Sequence, residues 1–183
     1  MKWLFVFLSI AMTSLTLTAK DSTAVWVDAG LGSFNSSSTQ GGLYFYGSLA
    51  SQSGNHLLKG RFAYGDEFNI VVIGESQLSE NFFSTDFLYG YGKFDKSIKA
   101  YLAAGVGLIS GVKRGDRLQQ SSGLFSGEQY QEVDFASVSL PIEANLQVVV
   151  GKHMAIGAVL FTDLSPAYAN TGFAFSLCFG QLR

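Results

Sequence analysis

The chain has 183 residues, a formal net charge of −2 and only 14% charged residues, against roughly 25% in typical soluble proteins. A net charge this close to zero gives no electrostatic argument for nucleic-acid binding. Cys178 is the single cysteine, which excludes an internal disulfide. The length corresponds to one domain.

The first residues have the layout of a secretory signal peptide. Lys2 precedes a short apolar run, and a stretch rich in Ser and Thr then reaches Ala19. The apolar run is well short of the roughly 20 residues that a membrane-spanning helix needs. We therefore predict a signal peptide over residues 1–19 and a single domain over residues 20–183.

Beyond residue 19, apolar residues alternate with small or polar residues at a period of two, which is typical of β-strands. In the last such stretch, 172–179, the large apolar residues share one face and the small residues share the other. The predicted strands are 24–34, 42–51, a third from about residue 56, 82–91, 100–112, 133–150, 154–164 and 172–179.

The alternation favours a barrel that faces lipid. After the signal peptide, no segment has the roughly 18 uninterrupted apolar residues of a membrane helix. Only helices and closed barrels satisfy their backbone hydrogen bonds in lipid. Large residues outside and small residues inside fit a narrow barrel of this kind. We predict an all-β fold, an eight-stranded antiparallel up-and-down transmembrane β-barrel.

The connections between the predicted strands alternate in length. Residues 35–41, 66–81 and 113–132 form long connections and 165–171 a medium one, whereas 52–55, 92–99 and 151–153 are short. Outer-membrane barrels have short periplasmic turns and longer outer loops. We therefore predict a Gram-negative outer-membrane protein with both termini in the periplasm and four loops outside. Residues 68–75 either extend strands three and four or form an extra hairpin.

Charged residues within the predicted strands are few, and five of them fall on the inward face. Their signs are mixed, so we expect an ion-paired network that fills and closes a small lumen, because buried charges require partners. The alternative is a proton or ion path. The predicted lumen network consists of Asp28, Lys59, Arg61, Asp86 and Glu143.

Catalysis is not expected from this sequence. The only histidines, His56 and His153, fall in or beside predicted short turns on the periplasmic side. A serine nucleophile needs a base within hydrogen-bond reach, and none is predicted near the outer face. We therefore predict a non-enzymatic protein without catalytic, cofactor-binding or metal-binding residues. A reaction that uses Lys59 or an unusual carboxylate pair is the alternative.

A basic cluster, Lys113, Arg114 and Arg117, opens the longest predicted loop. Residues 114–116 of the same loop form the tripeptide Arg-Gly-Asp, which resembles an integrin-binding motif. Three-residue matches of this kind are common by chance. We predict that the cluster pairs with lipopolysaccharide phosphates, for which arginine is well shaped. A solvated loop without a partner is the alternative.

Aromatic residues near the predicted strand ends suggest the interface girdle of a membrane barrel, where ring side chains lie at the level of the lipid headgroups. Such residues mark the height of the membrane on the barrel wall. The predicted girdle consists of Phe34, Tyr64, Phe82, Phe94, Phe135 and Tyr168.

Across essentially all of residues 20–183, the chain resembles the small, porin-like outer-membrane β-barrel domain proteins. The resemblance rests on the loop alternation and on the final strand, 172–179, which is similar to the signal read by the barrel assembly machinery. The segments 88–92, 104–107 and 140–143 resemble uncharacterised barrels of Bacteroidetes-type bacteria. The chain departs from the pattern in its last residues, 180–183, where such proteins often end on an aromatic. The resemblance implies fold and location, and no reaction.

The sequence is compatible with four functions. The first is a monomeric, non-enzymatic barrel that uses the barrel assembly machinery during biogenesis and whose surface loops interact with lipid, lipopolysaccharide or external partners. The second is a narrow channel for ions or small apolar molecules. The others are a lipid-modifying enzyme and a soluble periplasmic, lipocalin-like barrel with a ligand inside.

Overall fold

The computed structural model describes residues 23–36, 41–67, 79–119 and 129–182, and it forms a closed antiparallel barrel. Each strand pairs with its sequence neighbours, and β1 also pairs with β8, so the predicted fold class is confirmed. Within the described ranges, no helix is long and apolar enough to cross a membrane. The strands are β1 (Ala24–Ser36), β2 (Gly42–Ser53), β3 (His56–Glu67), β4 (Asn81–Phe94), β5 (Ile98–Gln119), β6 (Gln129–Val149), β7 (Met154–Leu164) and β8 (Asn170–Gly180).

The barrel has two unlike ends. Tight connections join β2 to β3, β4 to β5 and β6 to β7 at one end, which we call the short-turn end. The β2–β3 turn contains Gly54 at a φ of 59°, a left-handed conformation that glycine adopts without steric cost. The opposite end, which we call the long-connection end, carries the remaining connections. The segment between β7 and β8 is the one described there without a gap.

Several strands extend beyond their predicted limits. The predicted loop 113–132 is wrong at both ends, because β5 continues to Gln119 and β6 begins at Gln129. Lys113, Arg114 and Arg117 therefore lie in β5. The physical reason is that the hydrogen-bonded ladder continues past the apolar outer band, with register shifts after Arg114. The predicted signal peptide and residues 68–75 lie outside the described residues.

The outer wall of the barrel is apolar on every strand. Leu102 is 67% exposed, Phe175 66% and Phe87 58%, and similar side chains follow at alternate positions around the wall. A soluble protein rarely exposes so large a continuous apolar surface, whereas a membrane barrel must present one to lipid.

The interior contains two apolar clusters, one toward each end. The short-turn cluster consists of Ala24, Trp26, Ala50, Leu57, Leu88, Tyr101, Ala103, Val149, Ala155, Cys178 and Leu182. The long-connection cluster consists of Phe34, Tyr44, Tyr46, Ala63, Phe82, Ile109, Phe135, Val159, Phe161, Tyr168 and Ala174. In β1, β3 and β4, charged residues lie between the members of the two clusters.

The predicted aromatic girdle is wrong for most of its members. Phe34, Phe82 and Tyr168 are at most 2% exposed, and Phe135 is 9% exposed, because their positions place them inside the barrel. There they pack on one another; Phe135 stacks on Tyr168 with ring centres 4.9 Å apart. Phe94 packs against the short-turn cluster. Of the six, Tyr64 faces outward, at 43% exposure.

Candidate functional site

The centre of the barrel holds a group of charged side chains that we call the central ionic layer. Its members come from five strands and are at most 3% exposed. Period-two alternation directs each of them inward, since their strand neighbours on either side face lipid. The layer consists of Asp28, Lys59, Arg61, Asp86, Glu143 and Asp163.

Arg61 binds three carboxylates across the barrel. Its Nη2 lies 2.8 Å from Oδ2 of Asp86 and 2.6 Å from Oδ1 of Asp163. Its Nε also donates to Oδ2 of Asp86 at 2.9 Å, and its Nη1 lies 3.6 Å from Oε2 of Glu143. One guanidinium therefore connects β3 to β4, β6 and β7, and the fork of donors suits this planar recognition.

Lys59 forms the second half of the layer. Its Nζ donates to Oε1 of Glu143 at 2.7 Å and lies 3.6 Å from Oδ1 of Asp28. The hydroxyl of Tyr101 donates to the same Oε1 of Glu143 at 3.1 Å, and Asn145 Nδ2 lies 3.4 Å from it. Glu143 thus contacts both cations and joins the two halves into one network.

The structure brings together all five residues of the predicted lumen network and adds Asp163. That residue lies 102 positions from Arg61 in sequence, but closure of the barrel brings β7 opposite β3 across the lumen. Its inward phase was available from the alternation of Ala155, Val159 and Phe161 along β7. The layer contains four carboxylates and two cations, so the acidic groups outnumber the basic groups that pair with them.

At the long-connection end, the predicted basic cluster makes contacts within the chain. Lys113 Nζ donates to the carbonyl oxygen of Ala167 at 2.7 Å. Arg114 Nη2 donates to Oε2 of Glu67 at 2.7 Å, and its backbone N–H donates to Oε1 of Glu80 at 3.0 Å. These contacts join β3, β5 and the β7–β8 connection across the opening of the barrel at the long-connection end, which we call the mouth.

The β7–β8 connection closes this mouth further. The backbone N–H of Tyr168 donates to the Ser165 hydroxyl at 2.9 Å, and the Ser165 hydroxyl in turn donates to the Tyr168 carbonyl at 2.7 Å. This turn directs the Tyr168 ring into the long-connection cluster. Burial raises the pKa of the Tyr168 phenol above its ordinary value, because the phenolate would lose its solvation among these side chains.

The short-turn end is closed by packing around Trp26. The Nζ of Lys99 lies 3.9 Å from the centre of the Trp26 ring, within the range of a cation–π interaction. Leu182, which follows β8, is 3% exposed and packs in the same cluster. Apolar and aromatic side chains therefore lie on both sides of the central ionic layer.

The two histidines lie at the short-turn end and are exposed. His56 Nδ1 is hydrogen-bonded to the Tyr89 hydroxyl, and His153 Nδ1 lies 3.2 Å from the Gly180 carbonyl oxygen. Across the described ranges, no group of three His, Cys, Asp or Glu side chains is arranged to hold a metal ion.

Comparison with solved structures shows the fold. Neisserial surface protein A matches with a TM-score of 0.59 at 12% identity, covering 86% of this chain and 96% of that one. Ail, the attachment invasion locus protein of Yersinia pestis, matches with a TM-score of 0.54 at 11% identity, covering 86% and 96%. The outer membrane enzyme PagL matches more weakly, with a TM-score of 0.46 at 15% identity, covering 84% and 98%.

No protein-family model matches the sequence, and no curated protein matches it. At these identities the structural matches establish the architecture of a small eight-stranded outer-membrane barrel. They do not establish a role, because one fold serves many functions. The resemblance to Bacteroidetes-type barrels stays a prediction.

Proposed function

We propose that this protein is a non-enzymatic outer-membrane barrel with a closed lumen, whose external connections contact lipid or partners outside the cell. The observation that carries the proposal is the combination of an apolar outer wall with an interior filled by the central ionic layer between two apolar clusters. Such a barrel holds its connections at the membrane surface and offers no wide passage through its centre.

The closed lumen is what argues against a channel. Tyr44 stacks on Phe161 above the ionic layer with ring centres 3.8 Å apart, and Trp26 and Leu182 lie below it. Eight strands leave an interior that side chains can fill. We expect planar bilayers to show no stable conductance steps with this protein. Steps that change in the Glu143→Gln variant would favour the channel.

A lipocalin-like barrel would need the opposite distribution of polarity, with a polar outer wall and an apolar cavity inside. Here the salt bridges lie inside and the large apolar side chains lie outside. This distribution supports a membrane barrel and disfavours a soluble one.

The orientation forms part of the proposal. The short-turn end would face the periplasm together with both termini, and the long-connection end would face the outside, as is usual in outer-membrane barrels. This places His56 and His153 on the periplasmic side, away from the outer leaflet. We also propose that the barrel assembly machinery inserts the protein, because the alternating pattern of β8 is similar to the signal that this machinery reads. The inserted protein would be a monomer.

Contact with lipopolysaccharide remains a prediction for the basic cluster of Lys113, Arg114 and Arg117. Because Lys113 and Arg114 already bind groups within the mouth, phosphates of the lipid would have to compete with Ala167, Glu67 and Glu80. The contact is therefore expected to be weaker than a count of three cations suggests.

Thiol labelling of intact cells tests the proposed orientation. In a Cys178→Ala background, Pro166→Cys places a thiol on the exposed β7–β8 connection, and Lys152→Cys places one on the exposed β6–β7 turn. We expect a membrane-impermeant maleimide to label position 166 on intact cells and position 152 only after the outer membrane is opened. Reversed labelling would contradict the orientation, and recovery of the protein in the soluble periplasmic fraction would contradict the membrane barrel.

A further inference from the structure

The outer wall carries a groove near its short-turn end, across β4 to β7. The groove has a volume of about 580 Å³. Its floor contains small outward residues, Ala100, Ala144 and Ala158, which leave the backbone between them uncovered. Its walls are larger side chains that project from the barrel: Tyr91, Leu102, Leu146 and Leu160, which are 53–67% exposed.

The pairing of the strands connects this floor to a cation. Ala100 pairs with Lys93 on one side and with Leu146 on the other, and Leu146 pairs with Ala158. One outward row therefore runs from Lys93 into the groove. The Lys93 side chain is 80% exposed and lies 3.1 Å from Asp95.

Charge is distributed unevenly among the short turns. Lys93 lies near the end of β4, the β4–β5 turn carries Lys96, and the β6–β7 turn carries Lys152, with Asp95 as the acidic residue among them. These two turns flank the groove. Residues 52–55, which include the β2–β3 turn, contain neither lysine nor arginine. Lysines are thus present at the short-turn ends of the strands that form the groove.

We propose that this groove binds an anionic phospholipid. One acyl chain lies on the Ala100, Ala144 and Ala158 floor, and the phosphate lies against Lys93, which pairs with Ala100 in the same outward row. The acyl chain covers apolar wall that large side chains cover elsewhere, and lysines near a membrane edge attract anionic headgroups. The assignment of this site to the phospholipid leaflet of the outer membrane rests on the proposed orientation, because that orientation turns the short-turn end toward the periplasm.

Native mass spectrometry of the protein purified from outer membranes in a mild detergent tests the site. The probes are a phosphatidylglycerol and a phosphatidylcholine with identical acyl chains. We expect one phosphatidylglycerol to be retained in preference to phosphatidylcholine, since each lysine near the headgroup contributes about fivefold in affinity. Equal retention of the two lipids by the unmodified protein would overturn the proposal.

Two variants and a control locate the binding to the groove. Ala144→Phe fills the floor and should weaken retention about tenfold, the equivalent of about two methylene groups no longer buried. Ala29→Phe makes the same change at an exposed position on β1 and should leave retention unchanged. Lys93→Gln should reduce the preference for phosphatidylglycerol about fivefold. Equal effects of Ala144→Phe and Ala29→Phe would overturn the site.

A second copy of the chain is the competing occupant. In a Cys178→Ala background, Ala144→Cys should stay monomeric under oxidation in outer membranes; a disulfide-linked dimer would overturn the lipid site. These results are independent of the thiol labelling at positions 166 and 152. A reversed orientation would leave the lipid measurement in detergent unchanged, so failure of the lipid site and failure of the proposed function are distinguishable.

Discussion

The central ionic layer and the ion pair at the long-connection mouth use the same chemistry at different depths. The side chains of Arg61 and Asp163 are at most 1% exposed, whereas those of Arg114 and Glu67 are 16% and 9% exposed. A buried ion that loses its partner keeps its desolvation penalty, while an ion near water recovers solvation. The inner layer should therefore determine stability, and the mouth should mainly determine how the ends of the strands are held.

Removal of Arg61 should have the largest effect. Arg61→Leu leaves Asp86 and Asp163 without their shared cation, and we expect it to destabilise the barrel by about 3–5 kcal/mol. Urea unfolding in detergent, followed by Trp26 fluorescence, measures the change. A loss no greater than that of an outward substitution such as Leu160→Ala would contradict the role of the inner layer.

The contrast between depths also explains what the sequence could predict. Period-two alternation is a local property, so it correctly placed Asp28, Lys59 and Glu143 inside the barrel. The partner of Arg61 is not local. Asp163 meets Arg61 through the stagger of β7 relative to β3, which depends on the register of every intervening pair and not on any short pattern.

The aromatic residues show a different limit. Phe34 and Phe82 stand near strand ends, as a girdle residue does, but their phase matches that of Asp28 and Asp86. Phase along the strand turns both rings inward, whereas position near a strand end does not distinguish the two faces. The extension of β5 past Val112 was not predictable from hydropathy, because a ladder beyond the membrane needs hydrogen bonds and not apolar side chains.

At the mouth, we expect Arg114→Gln to cost about 1–2 kcal/mol, because a partly buried, charge-assisted hydrogen bond to Glu67 is lost while water reaches the site. The same urea unfolding measures the cost. Hydrogen exchange should also show faster exchange at the outer ends of β3 and β5 with no change near Arg61. Uniformly faster exchange over the whole barrel would contradict the difference in depth.

Asp163→Asn should have a smaller effect than either substitution. An asparagine oxygen can still accept from Arg61 Nη2, and the layer loses one of four carboxylates that share two cations. We expect a change of less than about 1 kcal/mol, since relief of like charge offsets the weaker hydrogen bond. Asp163→Leu, which removes the acceptor, is the matched control and should cost more. Equal costs for the two variants would show that the hydrogen bond is unimportant.

The smallest effect is expected at the exposed pair Lys93–Asp95, at the short-turn end. The side chains are 80% and 58% exposed, so water and salt screen the attraction and ordering the two side chains opposes it. In detergent without anionic lipid, Lys93→Gln should leave the urea midpoint unchanged within measurement error, and Asp95→Asn should do the same. Addition of phosphatidylglycerol should then raise the midpoint of the unmodified protein more than that of Lys93→Gln, because a ligand that binds the folded state stabilises it. A destabilised Lys93→Gln variant without lipid would mean that depth alone does not decide which charges hold this barrel together.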